Sequence, residues 1–156
     1  MARFPYSAHQ IRQIVEMKKT IVGSRLNYVK YHEGEDSRHA KTELYADEVI
    51  ANLTFIVWAT DFQNTETYHA VFMIDNERIR GIDFEPAAIK RGYKKVVPAG
   101  WHQNIIDPNI GTWDGNRHEP IDLGVISGLD NFARKVCKEW NIEYGEPEKQ
   151  LFLNEN

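Results

Sequence analysis

Apolar residues recur at helical spacing from Ser7 to about Ile21, where Ile11, Ile14, Val15, Ile21 and Val22 form one stripe. Ser7, with Gln10 three residues on, reads as a capping box, and Gly23 as the stop. The pattern then changes to strand character. Arg25–His32 is rich in Tyr and Val, and Glu43–Val49 is ambiguous between helix and strand. Leu53–Ala59 is a continuous apolar run dense in β-branched and aromatic residues, as expected of a central strand. The turn at Gln63-Asn64-Thr65 leads into Tyr68–Ile74, and Asp75-Asn76 into Arg78–Phe84. In that last run Ile79, Gly81 and Asp83 alternate with Arg80, Ile82 and Phe84. Turns this short imply antiparallel hairpins.

The regularity breaks between Glu85 and Lys95, where Pro86–Lys90 fits a short helix or a loop. Trp101–Ile106 and Ile121–Val125 read as strands on either side of a long loop, Asp107–Asn116. A second helix follows, with Leu129, Phe132, Ala133, Val136, Cys137 and Trp140 on its buried face. Ser127 and Asp130 read as its capping box, and Asn141 as the left-handed residue that closes it. The expected fold is α+β, an antiparallel sheet flanked by an N-terminal and a C-terminal helix. Residues 1–145 would form one globular domain, and 146–156 a polar acidic tail around Leu151-Phe152-Leu153.

A chain of 156 residues with 42% hydrophobic and 27% charged residues suits one ordered domain. A net charge of −4 argues against binding nucleic acid by bulk charge, so cations would have to be clustered. Lys90, Arg91, Lys94 and Lys95 are the dense basic run. Cys137 is the single cysteine, so no internal disulfide forms, and no apolar run reaches membrane-spanning length. A cytoplasmic protein without a membrane association is expected.

Chemistry-bearing residues gather between Gly100 and Pro120. Trp101, His102 and Asn104 open this stretch, Trp113 stands inside it, and Asn116, Arg117 and His118 close it. Imidazole carries protons near neutral pH. His102 and His118 facing one phosphate can serve as base and acid when a ribose 2′-hydroxyl attacks its own phosphodiester. Arg80 or Arg117 would hold the charge on the phosphorane oxygens, because a guanidinium grips two oxygens at once. Asp83 or Glu119 would orient an imidazole. Trp101 and Trp113 would stack bases, Asn104 and Asn116 would position substrate, and Lys94 and Lys95 would bind phosphate. Metal-ligand spacing, a P-loop and a Gly-x-Ser-x-Gly elbow are all missing, so neither a metal nor a cofactor is expected.

The order Arg80-Gly81-Ile82-Asp83, then His102-Gln103-Asn104, then Asn116-Arg117-His118 resembles small prokaryotic toxin-type domains of toxin–antitoxin pairs. The similarity spans roughly residues 78–140, and it departs where the family clusters histidines and this chain has Pro120. The resemblance implies RNA cleavage, or a protein that accompanies mobile elements and phage defence. Two functions therefore follow as expectations: a small RNA-cleaving phosphodiesterase, or a non-enzymatic protein that binds a protein partner through its acidic surface or its tail.

Overall fold

The computed structural model describes residues 6–22, 26–30, 38–47, 49, 51–62, 65–85, 89–91, 95–97, 100–105, 117–119 and 121–143. Helix α1 (Ala8–Glu16) begins as its sequence dictates. Ser7 Oγ accepts from the Gln10 backbone N–H, and Gln10 Oε1 accepts from the Ser7 N–H. It ends a turn earlier than the stripe implied, because Lys19–Ile21 is strand β1. There Ile21 is buried and Val22 exposed, the alternation of a strand.

The early stop leaves helix carbonyls that need donors, and the fold supplies all of them. Lys19 Nζ donates to Ile14 O at 2.8 Å, Val15 O at 2.7 Å and Met17 O at 2.6 Å. Gln13 O takes the Met17 N–H, and Glu16 O takes Asn141 Nδ2 at 2.8 Å. Lys19 is fully buried, and loss of hydration pushes its ammonium down to about 7. Lys19→Met removes donors from three carbonyls and should lower the unfolding free energy by at least about 2 kcal/mol. Between about pH 7 and 10.5 the unfolded chain binds more protons at this lysine than the native one, so stability should rise with pH across that window. Denaturant midpoints measured from pH 7 to 10 test both points, and Lys19→Met should flatten the slope.

The remaining strands are β2 (Val29–Lys30), β3 (Arg38–Tyr45), β4 (Leu53–Phe62), β5 (Thr65–Ile74), β6 (Glu77–Glu85), β7 (Ile89–Arg91), β8 (Lys95–Val97), β9 (Gly100–Ile105), β10 (Arg117–Glu119) and β11 (Ile142–Glu143), with helix α2 (Leu129–Glu139) before the last. Among the described residues nine strands join in one sheet, ordered β10-β9-β6-β5-β4-β3-β1-β11 with β2 beside β3. Its pairings are antiparallel except β1 with β11, which run parallel. The fold is thus a mostly-strand α+β architecture with two helices. Asp75 (φ 49°) and Asn76 (φ 66°) form the tight turn between β5 and β6. Beyond it the ladder shifts: Met73 pairs with Arg78 but Phe72 with Arg80, leaving Ile79 as the bulged residue.

Several local expectations are corrected. Ile89–Arg91 is a strand paired with Lys95–Val97, where a short helix over Pro86–Lys90 was an option. Residues 121–127 form no strand, because their backbone groups find side chains: Gly124 N–H donates to Asp122 Oδ1 and Leu123 O accepts from Lys135 Nζ. Helix α2 has no side-chain cap. Gly128 takes the N-cap at φ 102°, and the Ser127 N–H donates instead to Asn131 Oδ1. Asn141 does adopt the left-handed conformation, at φ 53°. The tail 146–156 and the loop Asp107–Asn116 lie outside the described residues.

One apolar core joins both helices to one face of the sheet. Ile11 and Ile14 of α1 and Leu129, Phe132, Ala133 and Val136 of α2 meet Phe55, Val57, Ala70, Phe72 and Ile82. Trp140 packs edge-on against Phe55, and Phe132 stacks on Tyr68 and Trp101. No helix among the described residues is long and apolar enough to cross a membrane.

Candidate functional site

Strand alternation sends every second side chain to the face away from the helices. There the ladders align one row across five strands: His39 on β3 stands opposite Trp58 on β4, Trp58 opposite His69 on β5, His69 opposite Asp83 on β6, and Asp83 opposite His102 on β9. The bulge at Ile79 decides this. A hairpin continued in register from Ile74↔Glu77 would bring Ile82, an apolar residue, opposite His69; the one-residue shift brings Asp83.

The row is wired by hydrogen bonds. His69 Nδ1 meets Asp83 Oδ1 at 2.6 Å, and Asn104 Nδ2 donates to Asp83 Oδ2 at 3.0 Å. On the other side of the ring, His69 Nε2 meets Thr67 Oγ1 at 2.9 Å, and Thr67 Oγ1 meets Thr60 Oγ1 at 2.6 Å. Trp58 stacks on the His69 ring, with centroids 5.1 Å apart and planes inclined by 21°. Exposure falls steeply along the chain. Thr67 is 0% and His69 7% exposed, whereas the Asp83 side chain is 30% exposed. In the neutral imidazole, Nδ1–H donates to the carboxylate and Nε2 accepts from the Thr67 hydroxyl. Asp83 is therefore held from both neighbouring strands, with a free edge toward solvent and His102 across the ladder.

The expected site residues divide between the two faces. His102, Asp83 and Asn104 share the helix-free face. Position 118 stands opposite Asn104, in the row next to His102, so the two histidine positions are diagonal neighbours across one ladder. Arg80 stands opposite Phe72 and Ile105 on the helix-bearing face, where its Nη1 donates to Ile79 O at 2.9 Å. Position 117 stands opposite Ile105 and belongs to that same face. Trp101 packs there as well, 4.6 Å from Phe84 and stacked at 5.9 Å on Phe132. Lys95 belongs to the β7–β8 hairpin. Lys94, Trp113 and Asn116 lie outside the described residues.

His69, Thr67, Thr60 and Trp58 join the site although the pattern of the chain alone does not single them out. Both ring nitrogens of His69 are indeed partnered; its importance lies in what it holds. The available signal was Thr67 and His69 on alternate positions where β5 turns from polar to apolar. Cys137 is buried in α2, and burial pushes its thiol up to about 12, so it offers no thiolate near neutral pH. Among the described residues no group of three or more His, Cys, Asp and Glu converges as a metal-binding cluster. Comparison with protein-family models, with curated proteins and with solved structures returns no match.

Proposed function

We propose that the protein is a small RNA-cleaving phosphodiesterase of toxin type, with the helix-free face between β5 and β10 as its active surface. One observation carries this reading: His102 and position 118 share a face with the buttressed Asp83 carboxylate, set by two successive ladder registers. In the proposed reaction one histidine takes the proton of a ribose 2′-hydroxyl as its oxygen attacks the adjacent phosphorus. The other gives a proton to the departing 5′-oxygen. The products are a 2′,3′-cyclic phosphate and a 5′-hydroxyl, and no atom is left unaccounted for. Asp83 would orient His102 and balance its charge when protonated.

The geometry shifts the supporting roles. Arg80 and Arg117 belong by register to the other face, so in this reading the phosphate charge falls to Lys94 and Lys95. Trp58 takes the place of Trp101 as aromatic surface, with Trp113 as the second stacking candidate. The protein is expected to act on RNA without an added cofactor.

The test is incubation of the protein with a mixed-sequence RNA in excess chelator, followed by analysis of the ends. Cleavage to cyclic phosphates that disappears in the His102→Ala, His118→Ala double variant is the expected result. RNA left intact by the wild-type protein, or cut equally by the folded double variant, would leave the non-catalytic, protein-binding reading instead.

A further inference from the structure

The chain Thr60–Thr67–His69 has no place in the proton transfers just described, yet Thr67 and His69 are both buried on that face. His69 cannot exchange a proton with a substrate, because it is 7% exposed and both ring nitrogens are engaged. The ring is held at several points: Trp58 covers one face, Thr67 holds Nε2, and Thr67 is itself fully buried and tied to Thr60. Asp83, whose side chain is 30% exposed, carries the network to the surface opposite His102.

From this we infer that His69 is a positioning residue: it fixes the Asp83 carboxylate, and through it the ring of His102. The inference rests on the proposed nuclease reading for its catalytic consequence, but not for its geometry. A carboxylate on a strand face can rotate about its side-chain torsions. Here Oδ1 is pinned from β5 by His69 and Oδ2 from β9 by Asn104, so both oxygens have a fixed direction. Such pre-orientation matters because misplacement of a catalytic group by about 1 Å costs on the order of 100-fold in rate. The Thr60–Thr67 pair adds a further property. Its hydroxyls rotate, and Thr67 Oγ1 also reaches Thr60 O at 3.3 Å. Thr67 can donate to a neutral His69, or accept from the protonated ring while donating to that carbonyl, so the anchor survives either charge state.

Two measurements test the inference, one of them without RNA. In the first, long-range proton–nitrogen NMR follows the His102 ring in wild-type protein, in His69→Leu and in His9→Leu, a control on the exposed side of α1. His102 signals that shift and broaden in His69→Leu alone support the anchor; signals unmoved by it in a folded variant overturn it. In the second, RNA turnover is compared among folded variants well below their unfolding temperatures. His69→Leu should lower kcat about 100-fold with KM nearly constant. His69→Asn, whose amide donor falls near the Nδ1 position, should recover much of that loss. A purely structural role would lower the melting temperature and leave kcat alone, and that result would also overturn the inference. If the wild-type protein cuts no RNA, the nuclease reading fails while the NMR comparison still decides the role of His69.

Discussion

Trp140→Ala should lower the unfolding free energy by about 3–5 kcal/mol, the range for deleting a fully buried large aromatic side chain. Trp140 is 1% exposed at the end of α2 and fills the space between the helix and the sheet. Its ring meets Phe55 edge-on at 6.0 Å and Phe72 at 6.1 Å, and its Nε1 donates to Gln103 Oε1 at 3.4 Å. These partners sit on β4, β5 and β9, so one side chain ties three strands to the helix. No neighbour is free to collapse into the gap, since Phe55 and Phe72 are held by the sheet. The loss is a large share of the roughly 5–15 kcal/mol that stabilises an ordinary domain. Urea unfolding should show a lower midpoint with an unchanged slope. A midpoint within experimental error of wild type would mean that α2 does not seal the core as described.

His102→Ala should reduce kcat/KM on RNA by about 100- to 10,000-fold, the usual contribution of one positioned acid or base. The effect on stability should be small. His102 is half-buried on the helix-free face, and the apolar core lies on the other side of β9. The cause of the kinetic loss is local: Asp83 stays fixed by His69 and Asn104 and has no imidazole to orient. Initial rates under chelator, with the circular dichroism spectrum as a folding control, measure it. A folded variant within a few-fold of wild type would remove His102 from the reaction. The contrast with Trp140→Ala is informative, since one variant should change stability and the other only rate.

Much of the scaffold could be read from the chain. The stripe from Leu129 to Trp140 is strict enough to define α2, and the Asp75-Asn76 turn with its flanking apolar runs defines a hairpin. The end of α1 misleads because Ile21 and Val22 happen to continue a helical stripe. What decides against it is Lys19, whose ammonium turns back onto the last helix carbonyls and frees the following residues to pair with β3. Pattern alone carries no trace of such a contact.

The site was half legible for a similar reason. Alternation within Arg78–Phe84 already separates Asp83 from Arg80, and the adjacency of Trp101 and His102 forces them to opposite faces. A guanidinium and a tryptophan on the side of His102 were therefore at odds with the same strands that supplied the histidine. The His69–Asp83 pair was not accessible, because it depends on the bulge at Ile79 and hairpin counting without it gives the wrong partner. One extra residue in one strand turns an apolar neighbour into a carboxylate.

In the proposed reaction RNA meets the helix-free face of the sheet. Backbone amide NMR shifts on adding a non-cleavable oligonucleotide, with its 2′-hydroxyls replaced by hydrogen or methoxy groups, locate the contact directly. The largest changes should fall on His69, Asp83, His102 and Asn104 and their neighbours on β5, β6 and β9. Changes confined to α1 and α2, or none at saturating oligonucleotide, would contradict this.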